Sequence, residues 1–489
     1  MPPRIRRLLR IALAVTLWAA VMAGTCVAGV AVSMRDSYPG PVRAVPAGGW
    51  PPAREVPRER PIAQEASREQ EQPSVRETPS ATAPVRTGVR RVSVRSAPPG
   101  QIKVAVVVGA SGSVTTDVLG PYEVFARSSR FFVYTVSARR EPVPLSGGLR
   151  VLPERTLAET AAGETAPDVV VVPAVVDPEG EAEAPLRSWI GRQAARGARI
   201  LGVCAGSRLV AASGLLRGRS ATSHWGVIGP LQQDYPDTRW VRGRRYVEDG
   251  PVTTTAGVTS GTVGALRLVE RLAGIAEARR VGGEVGYPGW SPDASTAIPA
   301  GEPALEDLPY ALNAAFPWFE PVVGVGLNQG VSEIDVAAAF EIYAGGSFAA
   351  RAVALAGTTV VTTRHGMTLV AEPADGTAPA VTRLVAPGVG TAREVDPALV
   401  RWAAGRGVAV ELPHAGRAAG ESGFDPVLRD LAAHTDLATA RATAKYNEYP
   451  IEHLTLTGPA WSWRPTLLFL LTALGAGLLS YTAVRLMPR

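Results

Sequence analysis

Four short, continuously apolar runs crowd into the stretch from residue 101 to residue 205: Lys103–Gly109 (KVAVVVG), Phe131–Val136 (FFVYTV), Asp168–Val172 (DVVVV) and Ala198–Val203 (ARILGV). A strand with one wet face alternates polar and apolar residues, and these runs do not, so each is expected to be buried on both faces. Helix-patterned segments lie between them, at Leu119–Ala126 and Leu186–Ala195. Apolar strands alternating with helices indicate parallel βαβ units and hence an α/β sandwich. A strand over Gly250–Gly257 and a helix over Val263–Leu272 close this first unit, assigned to residues 101–275.

The same pattern returns more weakly over residues 320–445. Val322–Leu327 (VVGVGL) repeats the first strand, and Asp335 and Glu341 repeat the six-residue spacing of Asp117 and Glu123. Thr363–Val370 parallels Leu145–Leu152, and Arg406–His414 parallels Arg196–Cys204, which places His414 where the cysteine stood. Two α/β sandwich domains in tandem are therefore expected, the second degenerate. Residues 276–319 form a connector and 446–464 a juxtamembrane segment. Without a cysteine the second copy has no thiol chemistry. Its expected role is that of a partner surface, an intramolecular pseudo-dimer in place of a homodimer. Glu123 is expected to face solvent or cap its helix, and Asp335 to be a remnant.

Two stretches carry no charge, Ile11–Met34 and Pro465–Val484, and each is long enough to cross a membrane, which takes about 20 apolar residues. Arg4, Arg6, Arg7 and Arg10 precede the first. That excess puts residues 1–10 in the cytoplasm. Two transmembrane helices, 11–34 and 465–484, then return the C-terminus to the cytoplasm and leave both domains extracytoplasmic at the cell membrane. A cleaved signal peptide is the alternative for the first stretch, although its apolar run exceeds the roughly 7–15 residues of such a segment. A lipoprotein reading of Cys26 is weaker, with Thr25 where a small residue is wanted. Residues 35–100 contain twelve prolines and charges of both signs without apolar periodicity, the composition of a disordered, solvated linker.

The local feature with chemical promise is Gly202-Val-Cys-Ala-Gly206, between a strand and a helix. A small-residue turn there lifts Cys204 above the sheet edge as a nucleophile elbow. The helix N-terminus beneath it favours thiolate, so the thiol is expected to be more acidic than a free cysteine.

Those residues, with Ser213–Trp225 (SGLLRGRSATSHW), Tyr246–Gly250 (YVEDG), Thr255–Gly261 (TAGVTSG) and Asp117–Phe125 (DVLGPYEVF), resemble the ThiJ/PfpI superfamily. Within it they are most similar to the sensing domain of GlxA-type AraC-family regulators, with isocyanide hydratases related. The resemblance implies a flavodoxin-like sandwich, the class I glutamine amidotransferase-like fold, for each of the two tandem domains. It also implies Cys204 as nucleophile or oxidation-sensitive thiol, Asp117 as the acid contacting the sulfur, and His224 as a nearby histidine. Packing over the sheet edge is the alternative for His224. Backbone N–H groups of Ala205 and Ala174 would form an oxyanion hole. Here Pro173-Ala174-Val175 replaces the Pro-Gly-Gly common in the family, which puts the Ala174 assignment in question.

Only two cysteines among 489 residues exclude a disulfide-stapled scaffold and any Cys₄ zinc or iron–sulfur site. A net charge of +6 spread over this length says little about nucleic acid, and none is expected as a partner. No cofactor and no metal is implied. A glutamine amidotransferase triad lacks its histidine–acid pair after the elbow. What remains is a membrane-anchored module binding or sensing an unknown small molecule, with an amide- or nitrogen-containing one the expectation. The alternatives are a cysteine-dependent hydrolase, hydratase or glyoxalase-like enzyme using Cys204, or a scaffold with a vestigial site.

Overall fold

The computed structural model describes residues 3–38 and 96–486, so most of the expected linker, residues 39–95, lies outside the described residues. The described chain opens with helix α1 (Pro3–Ser37). It then runs β1 (Ile102–Val107), α2 (Thr115–Ala126), β2 (Phe131–Ser137), the hairpin β3 (Val143–Pro144) and β4 (Arg150–Leu152), β5 (Arg155–Thr156), β6 (Val169–Val172), α3 (Ala184–Ala195), β7 (Arg199–Gly202) and α4 (Gly206–Ala212). The small pair β8 (Ser220–Ala221) and β9 (Arg239–Trp240) flanks α5 (Trp225–Asp234). After it come β10 (Tyr246–Asp249), β11 (Val252–Thr255), α6 (Ser260–Ala273) and α7 (Ile275–Val285).

These strands form a seven-stranded sheet in the order β10-β11-β7-β6-β1-β2-β5, parallel except where β10 meets β11. The apolar runs are buried on both faces, as continuous hydrophobicity requires. Val104 and Val106 of β1 join one core cluster while Ala105 and Val107 join another, and Val169 and Val171 of β6 are likewise split from Val170 and Val172. The period of two thus feeds two layers of helices. The segment expected as a connector from residue 276 begins inside α7, whose Ala278, Val281 and Val285 are core residues. Their apolar spacing on one helical face ties α7 to the first unit.

The chain continues through α8 (Leu308–Ala315), β12 (Val322–Gly326), α9 (Glu333–Phe340), β13 (Arg351–Ala356), the hairpin β14 (Val360–Thr362) and β15 (Thr368–Val370), β16 (Glu372–Pro373), β17 (Arg383–Val385), α10 (Pro397–Ala404), β18 (Val410–Glu411), α11 (Phe424–His434), α12 (Leu437–Tyr446) and α13 (Trp463–Leu486). A second, five-stranded parallel sheet results, ordered β16-β13-β12-β17-β18.

The two sheets share a core, because α2 packs on α9 and one hydrophobic cluster draws residues from both. The hairpins join as well: β4 pairs antiparallel with β15, Val151 opposite Leu369. Glu123 is buried at this junction, not solvent-facing. Its carboxylate pairs with Arg127 at 2.6 Å and reaches across to the start of α9, accepting from Ser332 Oγ at 2.8 Å and Ile334 N at 2.6 Å. A carboxylate meeting unpaired N–H groups at a helix start is favourable, and here the capped helix lies in the other half. Glu341 does the same in reverse. It accepts from Ser146 Oγ at 3.1 Å and stands 3.5 Å from Thr116 N at the start of α2.

Two helices are long and apolar enough to cross a membrane, Leu8–Ser37 and Trp463–Leu486. They pack together and on α8, with Trp18 Nε1 donating to Ala473 O at 2.9 Å and Ser33 Oγ to Ala314 O at 2.8 Å. Gly29 permits this closeness, since a Cβ there would lie 1.8 Å from Ala315 O.

Candidate functional site

In the first sheet β1 lies between β2 and β6, so the chain leaves β1 toward opposite edges in successive crossovers. The turns at the carboxyl ends diverge there and open a crevice, the usual ligand position in such sheets. Asp117 enters it from the first turn of α2, Ala174 from the turn after β6, and Cys204 from the turn after β7.

Cys204 has φ 56°, the left-handed region that side chains normally avoid. Hydrogen bonds hold it there: its N–H donates to Thr255 Oγ1 at 3.3 Å, and its carbonyl accepts from Ser223 Oγ at 2.9 Å and Ser207 Oγ at 3.1 Å. Gly206 is required by contact, because a Cβ would stand 2.2 Å from Val172 O. The elbow expected from the sequence is therefore present. An acidic thiol is not. Burial pushes the Cys204 thiol well above its ordinary value, charge on Asp117, Glu448 and Glu341 acts in the same direction, and the Ala205 N–H on the sulfur pulls back. Desolvation of the thiolate outweighs the helix N-terminus.

Asp117 is fully buried, and burial drives its carboxyl well above the usual range, with Glu341 adding to the effect. The shift favours its protonated form. Its Oδ2 accepts from Ala174 N at 3.0 Å, while Oδ1 has no hydrogen-bond partner among the described residues. The Ala174 N–H is thus spent on Asp117 and the Ala205 N–H on the sulfur, so neither expected oxyanion donor is free in this state.

His224 is also engaged at both nitrogens. Nδ1 accepts from Gly226 N at 3.1 Å, capping α5, and Nε2 lies 2.9 Å from Tyr446 O, to which it donates. Burial lowers its basicity. The ring packs on Trp225, which packs in turn on Tyr446. This arrangement holds the loop of the first half against α12.

Three residues of the site were missed by sequence reasoning. Glu341 sits beside Asp117, and burial pushes it up to about 7. Glu448, at φ 51°, reaches in from beyond α12, accepts from Gly257 N at 2.6 Å and is also raised by burial to about 7. Tyr38, just past α1, hydrogen-bonds Ser146, and charge on Glu341, Asp117 and Cys204 adds to burial in raising its phenol. The repeat register could have found Glu341, the counterpart of Glu123. Nothing marks Glu448 or Tyr38 in the sequence.

A second acid cluster, Glu123, Glu333 and His365, brings its ligand atoms within 4.8 Å of one another. Arg127 and Ser332 hold Glu123, while Glu333 meets Thr363 Oγ1 at 2.6 Å and His365 Nδ1 at 2.7 Å. That donor set is an ion-pair network with its oxygens already used.

Residues 102–271 match the DJ-1/PfpI family model. Over 172 residues the chain is 35% identical to isonitrile hydratase of Pseudomonas putida, a span covering 34% of this chain and 70% of that protein. The chain belongs to the DJ-1/PfpI family. Another member of similar sequence is the HTH-type transcriptional regulator CdhR of Pseudomonas aeruginosa, 31% identical over 141 residues, which are 29% of this chain and 40% of the regulator. Among solved members, Drosophila melanogaster DJ-1beta aligns at 24% identity over 37% of this chain and 95% of that one, with a TM-score of 0.34. The family match spans the elbow, Asp117 and His224, and ends before Glu341 and Glu448.

Proposed function

We propose that this protein is a membrane-anchored DJ-1/PfpI module that binds or senses a small uncharged molecule at Cys204, with its second half a degenerate copy closing the site. The engagement of both His224 nitrogens carries this reading, because it leaves the thiol without a free base. Around the sulfur stand Asp117, Glu341 and Glu448, three carboxyls that burial biases toward their neutral form. Such a chamber offers proton donors and repels anions, which suits an amide-like or other nitrogen-containing ligand. The swapped caps made by Glu123 and Glu341 support an internal pseudo-dimer. The two packed apolar helices support anchorage, and the arginines before the first favour extracytoplasmic domains. A tag within residues 39–95 should be reached by reagent added to intact cells.

A second reading is a hydratase. It is favoured by the 35% identity to isonitrile hydratase and by a buried Asp117, its acidity weakened by burial, beside the thiol. Full-length protein in detergent, offered small amides and isonitriles, separates the two. Binding predicts a raised melting midpoint with no loss of ligand. Isonitrile consumption that vanishes in Cys204→Ser overturns it in favour of the hydratase, and neither effect leaves a scaffold.

A further inference from the structure

The thiol site has a wall that its family match does not include. Helix α1 ends at Ser37, and Tyr38 follows with its N–H on Met34 O at 3.1 Å, one more turn of the same backbone. Its ring lies against Gly112, in the loop before α2, so closely that a Cβ on Gly112 would be 2.9 Å from Tyr38 Cδ1. Its hydroxyl meets Ser146. Ser146 in turn accepts from Thr115 N at 2.8 Å and donates to Glu341. The phenol therefore joins a hydrogen-bonded line ending at the first turn of α2, where the unpartnered Oδ1 of Asp117 is buried. With Tyr38 in place Cys204 is only 5% exposed.

We propose that Tyr38 is the lid of the thiol chamber, so that the apolar helix carrying it governs which molecules reach Cys204. The other walls belong to the folded halves: Asp117 to α2, Glu341 to the turn after α9, and Glu448 to the segment after α12. Tyr38 alone follows a helix that is packed sideways on α8 and α13 and touches the first half at the Ser146–Gly148 turn. A tilt of α1 moves the ring off Gly112 without unfolding either sheet. Placing a ligand gate on the anchor links the site to whatever acts on that helix.

The test needs no ligand and so stands apart from the function proposed above. Full-length protein in detergent carries Cys26→Ser, leaving Cys204 as its one thiol. Modification rates are measured at about pH 9, where more of the thiol ionises, with small iodoacetamide and bulky dithionitrobenzoate. Tyr38→Ala is expected to raise the bulky reagent's rate about tenfold and the small one's less, while Tyr38→Phe, which keeps the ring, stays within about threefold. A Tyr38→Ala rate within about twofold for both reagents overturns the lid. An equal rise for both, the mark of general loosening, overturns it as well. If Tyr38→Ala does not fold, Tyr38→Leu is judged by the same ratio.

Discussion

Two acids open two helices in this molecule, and they are neutralised in opposite ways. Asp117, in the first turn of α2, has no salt-bridge partner among the described residues, and burial drives its carboxyl well above the usual range. Asp335, at the same point of α9, is ion-paired with Arg417 and lies 3.4 Å from His414 Nε2. The position across from Asp117 carries a thiol, and the position across from Asp335 carries an imidazole that also bonds Gly423 O at 3.1 Å. An arginine beside a buried carboxylate satisfies it locally and ends its availability as an acid. Each carboxyl leaves one oxygen without a hydrogen-bond partner among the described residues, so what separates the corners is the arginine: the second spends its carboxylate on an ion pair and the first does not.

The largest expected effect breaks the second corner. Arg417→Met leaves a carboxylate that is 2% exposed without its cation, a loss of about 3 kcal/mol in unfolding free energy. Asp117→Asn replaces a carboxyl that burial biases toward its neutral form and should stay within about 1 kcal/mol. Denaturant titration of both variants checks the contrast, and equal losses would mean that Asp117 is also an ion-pair partner.

The next effect is the pH dependence carried by the carboxyls of the first corner. Glu341 and Glu448 move from 4.5 to about 7 on folding. The folded chain then binds more protons than the unfolded chain between those values. Stability is accordingly full below about pH 4.5, falls as pH rises through 7, and levels off above. Asp117 acts in the same direction. Each of Glu341→Gln and Glu448→Gln should flatten the curve by roughly 3 kcal/mol over that window. A melting midpoint that climbs from pH 5 to pH 7 in the parent chain would sink the neutral-carboxyl description.

What the sequence displayed of these corners follows from the range of each signal. The strands of the first sheet were legible because burial on both faces leaves uninterrupted apolar runs, such as Val169–Val172. The elbow was legible because Gly206 answers a contact 2.2 Å away, a local steric demand. The thiol's acidity was misjudged for the opposite reason: the helix N-terminus is local, whereas burial by Glu341 and Glu448 comes from residues more than a hundred positions away. Glu123 looked like a surface residue because its partners, Ser332 and Ile334, lie two hundred residues on. His224 carried a family role in sequence, but its nitrogens are claimed by Tyr446 and Gly226, one of them across the junction. Pairings across the halves leave no periodicity to read.

The smallest expected effect isolates the backbone. A residue with a side chain at φ 56° costs about 1–2 kcal/mol relative to ordinary conformations, and glycine escapes that cost. Cys204→Gly should therefore be more stable than Cys204→Ala by about 1 kcal/mol, against the usual order of the two residues. His414, which is absent from the left-handed residues, should show the usual order, with His414→Ala more stable than His414→Gly by about 0.5–1 kcal/mol. Four melting curves under one condition decide it. An inversion at Cys204 alone means that the first corner holds its thiol in a strained turn the second corner has relaxed. The same order at both sites would put the strain in the side chain's surroundings, and Cys204 would then owe its position to the hydrogen bonds from Ser207 and Ser223 alone.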